Sequence, residues 1–257
     1  PDILSLFARQ SVAEQEKVYQ TGRGRRIILA TNVAETSLTV PGIRFVVDTG
    51  TARIKRYSYR NKVEQLQIEP ISQSAANQRA GRCGRVADGI CIRLYGEDEF
   101  QLRTAYTDPE IMRSSLAGVI LRMASLRLSR IDEFPFIQAP SGRAISDGIQ
   151  LLEELGALEA QYKEGAREIT LTTIGLELAQ LPLDPRVSRM LIAAKEFVAL
   201  REVLIIASAM AIQDPRERPP EFSQQADVAH KIFADEQSEF ISFIKLWDWY
   251  HQAAEKK

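Results

Sequence analysis

Segment 78–85 holds the densest cluster of side chains that could bind a phosphate group. It reads Gln-Arg-Ala-Gly-Arg-Cys-Gly-Arg, and on a helix its spacing would place Arg79, Arg82 and Arg85 roughly along one side. Guanidinium groups suit phosphate because they are permanently charged and fork-shaped, and the glycines allow a close approach. The alternative is a solvated basic helix end, which the helix dipole also favours. The pattern Gly-Arg-x-Gly-Arg after Gln-Arg favours phosphate contact.

Two helix starts are visible in the first third of the chain. Ser11 with Glu14 forms a capping box, which predicts a helix running through Tyr19. Ser72 can cap a second helix that runs toward Cys83 and therefore carries the arginine cluster near its C-terminal end.

Strand signals alternate with these helices. Continuous apolar runs at 27–30 and 45–47 are typical of buried parallel strands. The alternating runs 53–57 and 63–68 predict a β-hairpin around a polar turn, and 90–95 predicts one more strand. Together these elements predict an α/β unit of Rossmann-like type with a protruding hairpin.

The pattern becomes helical after about residue 105. Pro109 at a first helical position predicts a helix that runs through Met123. A helix at 144–155, a short strand at 169–171 and a helix at 174–179 suggest a winged helix. Further helices are predicted at 187–197 and 202–212, with two more after the proline-rich break at 215–220.

Composition sets the broad class. The chain has 257 residues, 45% of them hydrophobic and 26% charged, which is ordinary for a soluble globular protein. It begins at Pro1 with neither Met nor a signal peptide, so we expect a fragment. Two cysteines form no disulfide framework and fit a reducing cytoplasm. The net charge of -1 alone argues against nucleic-acid binding, but the run 53–62 holds five basic residues and no acid.

Several stretches together resemble one family. Segment 78–85 resembles motif VI of the DEAH-box helicases, and 31–39, Thr-Asn-Val-Ala-Glu-Thr-Ser-Leu-Thr, resembles their motif V directly after a strand. The resemblance covers essentially the whole chain, and 213–219 with Leu246-Trp247 is similar to the bacterial HrpA-type members. Other matching stretches are 46–50, 69–72, 151–158 and 181–186.

The resemblance implies a fold class and a domain layout. The fold would be α/β and RecA-like, partial and with a β-hairpin, followed by mainly α winged-helix and helical-bundle domains. Residues 1–105 would be the second RecA-like helicase domain, incomplete at its N-terminus. Residues 106–180 would form the winged helix, and 181–257 an incomplete helical ratchet domain.

The resemblance also implies nucleotide-contacting residues. Arg82 and Arg85 match the arginine fingers that neutralise charge developing on the γ-phosphate. Gln78 matches the residue that helps orient the attacking water, and Ser37 matches a γ-phosphate sensor. Tyr19 falls where an aromatic ring stacks on adenine, although a helix residue packed into the core is an equally good interpretation. The nucleotide-binding positions implied are Ser37, Thr39 and Tyr19.

A second implied set of residues contacts RNA. Thr31 and Asn32 match positions that touch the RNA backbone, and the hairpin 53–68 matches an element that wedges at the RNA strand. A solvated charged hairpin is the alternative. The basic residues assigned to RNA on the hairpin are Arg53, Lys55, Arg56 and Arg60.

Two motifs of a complete motor are absent from the sequence. It has neither a phosphate loop nor an Asp-Glu-x-His box, so ATP and Mg²⁺ would be bound in the intact enzyme with the missing first RecA-like domain, and this fragment alone would hold neither. His230 and His251 lie too far from an acidic cluster to suggest a metal site. The expected partner is single-stranded or partly duplex RNA, with no membrane association and a monomeric state.

One other functional class is open. A winged-helix module that binds nucleic acid or protein would need no motor. Motifs V and VI favour the helicase motor, because a binding module has no need of arginines directed at a partner domain's nucleotide.

Overall fold

The computed structural model describes residues 1–8, 10–20, 24–36, 38–163, 166–219 and 222–255. The chain divides into two compact units, Pro1–Ser114 and Ser115–Lys257. None of the described helices is both long and apolar enough to cross a membrane.

The first unit is built on two parallel strand pairs and a hairpin. Strand β1 (Asp2–Leu6) lies parallel to β2 (Arg26–Ala30), and β3 (Phe45–Asp48) lies parallel to β6 (Ile90–Arg93). Strands β4 (Thr51–Ser58) and β5 (Val63–Pro70) form an antiparallel hairpin. The helices are α1 (Val12–Glu16), α2 (Val33–Thr36), α3 (Gln73–Ala80) and α4 (Glu97–Leu102), followed by a 3-10 helix (Glu110–Met112).

The predicted helix caps are present, but both helices are shorter than expected. Ser11 and Glu14 form the reciprocal capping box, and α1 ends at Glu16 without reaching Tyr19. The Ser72 hydroxyl accepts from the Ala75 N–H at 3.2 Å. Helix α3 ends at Ala80, so the segment from Gly81 onward leaves the helical path.

The predicted strands are confirmed, while their predicted burial is wrong. Ile27 and Leu29 on β2 are 42% and 62% exposed, and Phe45 and Val47 on β3 are 67% and 62% exposed. Among the described residues each of these strands pairs with one neighbour only. An apolar run therefore predicted the strand correctly, but the cover over its faces depends on other elements.

A small core anchors the base of the hairpin. Ile71, Ala75 and Ala76 are buried, and Ala52 and Phe100 pack against them. Helix α3 is thus seated against the start of β4, which brings the arginine segment close to the hairpin.

The second unit is mainly helical. Its elements are α5 (Ala117–Ser125), α6 (Gly142–Glu154), the antiparallel strands β7 (Leu158–Lys163) and β8 (Ala166–Leu171), α7 (Thr173–Gln180), α8 (Pro185–Glu196), α9 (Leu200–Ala211), α10 (Ser223–Lys231) and α11 (Glu239–Glu255). Leu116, Leu152 and Leu178 are almost fully buried at its centre. Helix α6 gives way to Gly156 at φ +68°, as predicted.

The prediction of one continuous helix from Pro109 through Met123 is wrong. Pro109 caps the short 3-10 helix, and α5 begins only at Ala117. The Arg113 carbonyl accepts from the Tyr57 N–H of β4 at 2.7 Å. That carbonyl serves the edge of the hairpin, and the helical hydrogen-bond ladder is interrupted there.

Candidate nucleotide and RNA interface

Arg79 is a partly buried side chain on α3 with several hydrogen-bond partners. Its guanidinium group donates to the Glu35 carboxylate at 3.0 Å, to the Asp48 carboxylate at 2.8 Å and to the Thr51 carbonyl at 3.2 Å. The Arg79 and Glu35 side chains are 16% and 15% exposed. Helix α2, the end of β3 and the start of β4 are therefore tied to α3 by one side chain.

Asp48 is the most enclosed carboxylate of this network. Its side chain is fully buried, and it also accepts from the Gly50 N–H and the Tyr95 hydroxyl, each at 2.9 Å. Burial alone would raise the pKa of Asp48, but the hydrogen bonds from Gly50, Arg79 and Tyr95 outweigh it and hold that pKa below its usual value. Burial and the Asp48 charge raise the pKa of Tyr95 to about 12.

Arg82 and Arg85 lie beyond the end of α3 and turn toward segment 35–39. Arg82 donates to the main-chain carbonyls of Glu35 and Leu38, and Arg85 donates to the Thr39 hydroxyl. The prediction that three arginines share one helix side is therefore wrong. Because the helix stops at Ala80, Arg79 points into the fold while the other two follow a separate path.

The positive charges of Arg82 and Arg85 repel each other. Partial burial and the positive charge of Arg85 lower the pKa of Arg82. An anion bound against both guanidinium groups would relieve this repulsion. A phosphate group has the charge and the acceptor oxygens for such a contact.

The other residues predicted to contact the nucleotide are Gln78, Tyr19 and Ser37. Gln78 is exposed on the last turn of α3. Tyr19 is 37% exposed, whereas its neighbour Val18 is 1% exposed and occupies the core position. Tyr19 is thus not a packed core residue, and its adenine-stacking role stays a prediction. Ser37 lies outside the described residues.

Thr31 and Asn32 occupy the turn that leads into α2. Both are exposed, and their carbonyls accept from the N–H groups of Ala34 and Glu35 at 3.2 Å and 3.0 Å. The side chains are accessible to a ligand at the start of the helix.

The hairpin cations fall into two groups. Lys55 pairs with Glu64, and Arg56 pairs with Glu69 at 2.6 Å and with Asp108 at 3.0 Å. The Glu69 and Asp108 carboxylates raise the pKa of Arg56, whose charge is neutralised within the fold. Among the described residues neither Arg53 nor Arg60 has a carboxylate partner, and both are exposed.

Residues 108–113 lie along the outer edge of β4. The Arg113 carbonyl accepts from the Tyr57 N–H, and the Arg113 guanidinium contacts the Lys55 carbonyl at 3.4 Å. The sequence did not indicate that this segment lies beside β4, and it did not indicate Glu35 and Asp48 as partners of Arg79. The signal for Glu35 and Asp48 was their position within the two motif-like stretches 31–39 and 46–50.

Within the described parts of the chain, no cluster of His, Cys, Asp and Glu could hold a metal ion.

Comparisons with known proteins identify the family to which the chain is similar. The helicase conserved C-terminal domain family matches residues 2–87, and the ratchet-like helicase associated domain (HA2) matches residues 184–245. The ATP-dependent RNA helicase HrpA of Escherichia coli K12 is 57% identical over 248 residues, which are 96% of this chain and 19% of that protein. The chain belongs to the HrpA-type DEAH-box helicases. The HrpA homologue of Haemophilus influenzae is 55% identical over 251 residues, covering 98% of this chain and 19% of the relative.

A solved structure supports the fold of this HrpA-type chain. The crystal structure of the E. coli DExH-box NTPase HrpB matches with a TM-score of 0.70 and 29% identity over 89% of this chain and 29% of that one. The RecA-like region followed by a helical HA2 region is thereby confirmed. The chain spans about a fifth of the length of the two bacterial HrpA relatives.

Proposed function

We propose that this chain supplies the arginine fingers and part of the RNA channel of an ATP-dependent RNA helicase. The observation that carries the proposal is the difference in bonding partners among the three arginines of segment 78–85. Arg79 is locked into the fold by two carboxylates, while Arg82 and Arg85 lie together outside the helix on hydrogen bonds to uncharged acceptors. The relatives named ATP-dependent RNA helicases support the same activity.

The nucleotide would be held between this RecA-like region and a first RecA-like domain. That domain would provide the phosphate loop and the Mg²⁺ ligands, which this sequence lacks. Arg82 and Arg85 would stabilise the charge that develops on the γ-phosphate. Gln78 would orient the attacking water, Thr39 and Ser37 would contact the nucleotide, and the accessible ring of Tyr19 would stack on adenine.

RNA would be bound along its backbone. Thr31 and Asn32 are exposed before α2, and Arg53 and Arg60 are exposed on the hairpin without carboxylate partners among the described residues. Contacts to phosphate position the strand and carry little sequence information. We therefore expect salt-sensitive binding of single-stranded or partly duplex RNA with little base preference.

The layout of domains is part of the same proposal. Residues 1–105 would form the second RecA-like domain, 106–180 a winged helix and 181–257 the ratchet domain. The order α5, α6, β7, β8 and α7 supports the winged helix. We place the intact protein in the cytoplasm as a monomer.

Alanine substitutions of the two fingers test the proposal. In an enzyme that carries this region together with its first RecA-like domain, Arg82→Ala and Arg85→Ala should each slow single-turnover ATP hydrolysis by about 10³- to 10⁵-fold. By the tenfold-per-1.36 rule this corresponds to roughly 4 to 7 kcal/mol, whereas an exposed surface arginine contributes about 0–1 kcal/mol. Lysine should not restore the rate, because it lacks the planar fork.

Affinity for RNA should stay within a few-fold of the parent in both variants. Hydrolysis within a few-fold of the parent by folded Arg82→Ala and Arg85→Ala proteins would refute the finger assignment. The resemblance of segment 78–85 to motif VI would then carry only a fold, and a winged-helix module that binds nucleic acid or protein would be the alternative.

A further inference from the structure

Arg79 connects the elements that carry the proposed RNA contacts. Its ion pair with Glu35 holds α2, which begins directly after Thr31 and Asn32. Its hydrogen bond to the Thr51 carbonyl holds the first residue of the hairpin strand β4. If bound RNA displaced either element, the contacts of the Arg79 guanidinium group would change.

The same side chain lies next to the proposed fingers. Arg79 is on the last turn of α3, three residues before Arg82. Arg82 in turn donates to the main-chain carbonyl of Glu35. Glu35 therefore contacts both arginines, one through its carboxylate and the other through its backbone.

Burial makes this connection stiff. The Arg79 and Glu35 side chains are largely shielded from water, and Asp48 is fully buried. Charges interact more strongly where water is excluded. The planar guanidinium group also binds its two carboxylates through different nitrogens in a fixed relative geometry.

We propose that Arg79, through its ion pair with Glu35, is a positioning residue that couples RNA binding to the placement of Arg82 and Arg85. The inference rests on the proposed function. It assigns RNA-stimulated hydrolysis to one ion pair that is largely shielded from water.

The two carboxylates of the network are not equivalent. Asp48 is also held by the Gly50 N–H and the Tyr95 hydroxyl. Within the part of the chain that the structure describes, the Glu35 carboxylate has Arg79 as its only ion-pair partner. Removing the Glu35 carboxylate therefore breaks the connection to α2 and leaves Arg79 paired with Asp48.

The experiment uses the enzyme that carries this region with its first RecA-like domain. Glu35→Ala breaks the connection to α2, and Arg79→Lys keeps the charge while losing the fork. Tyr95→Phe is the matched control, because it removes one hydrogen bond to Asp48 and leaves the Glu35–Arg79 pair intact. The rate of ATP hydrolysis is measured without RNA and with a saturating single-stranded uridylate oligonucleotide, together with RNA affinity and thermal unfolding.

We expect Glu35→Ala to lower the factor by which RNA stimulates hydrolysis at least about fivefold, the lower end of typical coupling effects, while basal hydrolysis stays within about twofold. Because the oligonucleotide is saturating, a change in RNA affinity does not limit the stimulated rate. Tyr95→Phe should keep the full stimulation. Equal losses of basal and stimulated rates would make Arg79 a merely structural support and overturn the proposal. Unchanged stimulation in folded Glu35→Ala would overturn it as well, whether or not Arg79→Lys folds.

Parent hydrolysis and its loss in Arg85→Ala test the proposed function separately. An enzyme that passes both tests but shows unchanged stimulation in Glu35→Ala retains the proposed function and loses only this inference. A second readout avoids activity altogether. Hydrogen exchange of segment 78–85 in the parent enzyme should change when the uridylate oligonucleotide binds, and this change should disappear in Glu35→Ala.

Discussion

Arg53→Gln should reduce the salt dependence of RNA binding, whereas Arg56→Gln should not. Both residues lie on β4 in one basic run, so their sequence context does not separate them. Arg56 is already neutralised by Glu69 at 2.6 Å and by Asp108 at 3.0 Å. Arg53 is exposed and has no carboxylate partner within the described residues. Of these two residues, Arg53 is therefore the one that is free to replace a counterion on the RNA backbone.

The size of the effect follows from counterion release. Each phosphate contact on a single strand contributes roughly 0.7 to the slope of log affinity against log salt. Between about 50 and 200 mM salt, a fourfold change, losing one contact should therefore reduce the salt-induced loss of affinity by a factor of about 2.6. For Arg56→Gln the change appears in stability, because Glu69 at 22% exposure loses its charged partner, at a cost of up to about 1 kcal/mol for such a partly exposed pair.

Fluorescence anisotropy of a labelled uridylate oligonucleotide at several salt concentrations measures the slope, and thermal unfolding measures the stability. Arg60 is a second exposed cation without a carboxylate partner among the described residues, so Arg60→Gln should behave like Arg53→Gln. A slope reduction in Arg56→Gln as large as that in Arg53→Gln would show that Arg56 leaves its carboxylates to bind RNA. An unchanged slope in both Arg53→Gln and Arg60→Gln would leave the hairpin as a solvated surface.

Three further outcomes are expected. Gly175→Ala should lower the unfolding free energy of the second unit by at least about 1–3 kcal/mol, because a Cβ there would lie 1.9 Å from the Ala157 carbonyl oxygen. A Cβ at Gly118 would meet open space, so Gly118→Ala should raise the unfolding free energy by up to about 1 kcal/mol. Urea denaturation measures both changes. The raised pKa of Tyr95, from 10.0 to about 12, gives stability that is present below pH 10.0 and lost as pH rises toward 12, so alkaline unfolding of the parent should be steeper there than that of Tyr95→Phe. The 257-residue chain alone should not hydrolyse ATP, and turnover above a buffer blank that Arg85→Ala abolishes would contradict this.

Local features of the chain were predictable from the sequence. The capping box of Ser11 and Glu14, the Ser72 cap and the hairpin pairing of β4 with β5 all occur as predicted. Each depends on residues that are close in sequence, so spacing and alternation contain the necessary information. The family could also be predicted, because motif-like stretches such as 31–39 and 78–85 are read directly from the residues.

The partners of the site residues were decided by the tertiary structure. Arg79 meets Glu35 and Asp48, which are 44 and 31 residues away, and Arg56 meets Asp108, 52 residues away. The end of α3 at Ala80 separates Arg79 from the two arginines beyond it. Contacts of this kind depend on how distant segments fold together, which residue spacing does not contain. The sequence thus determined which arginines could bind phosphate, and the packing of α2, β3 and α3 decided which of them is committed to the fold.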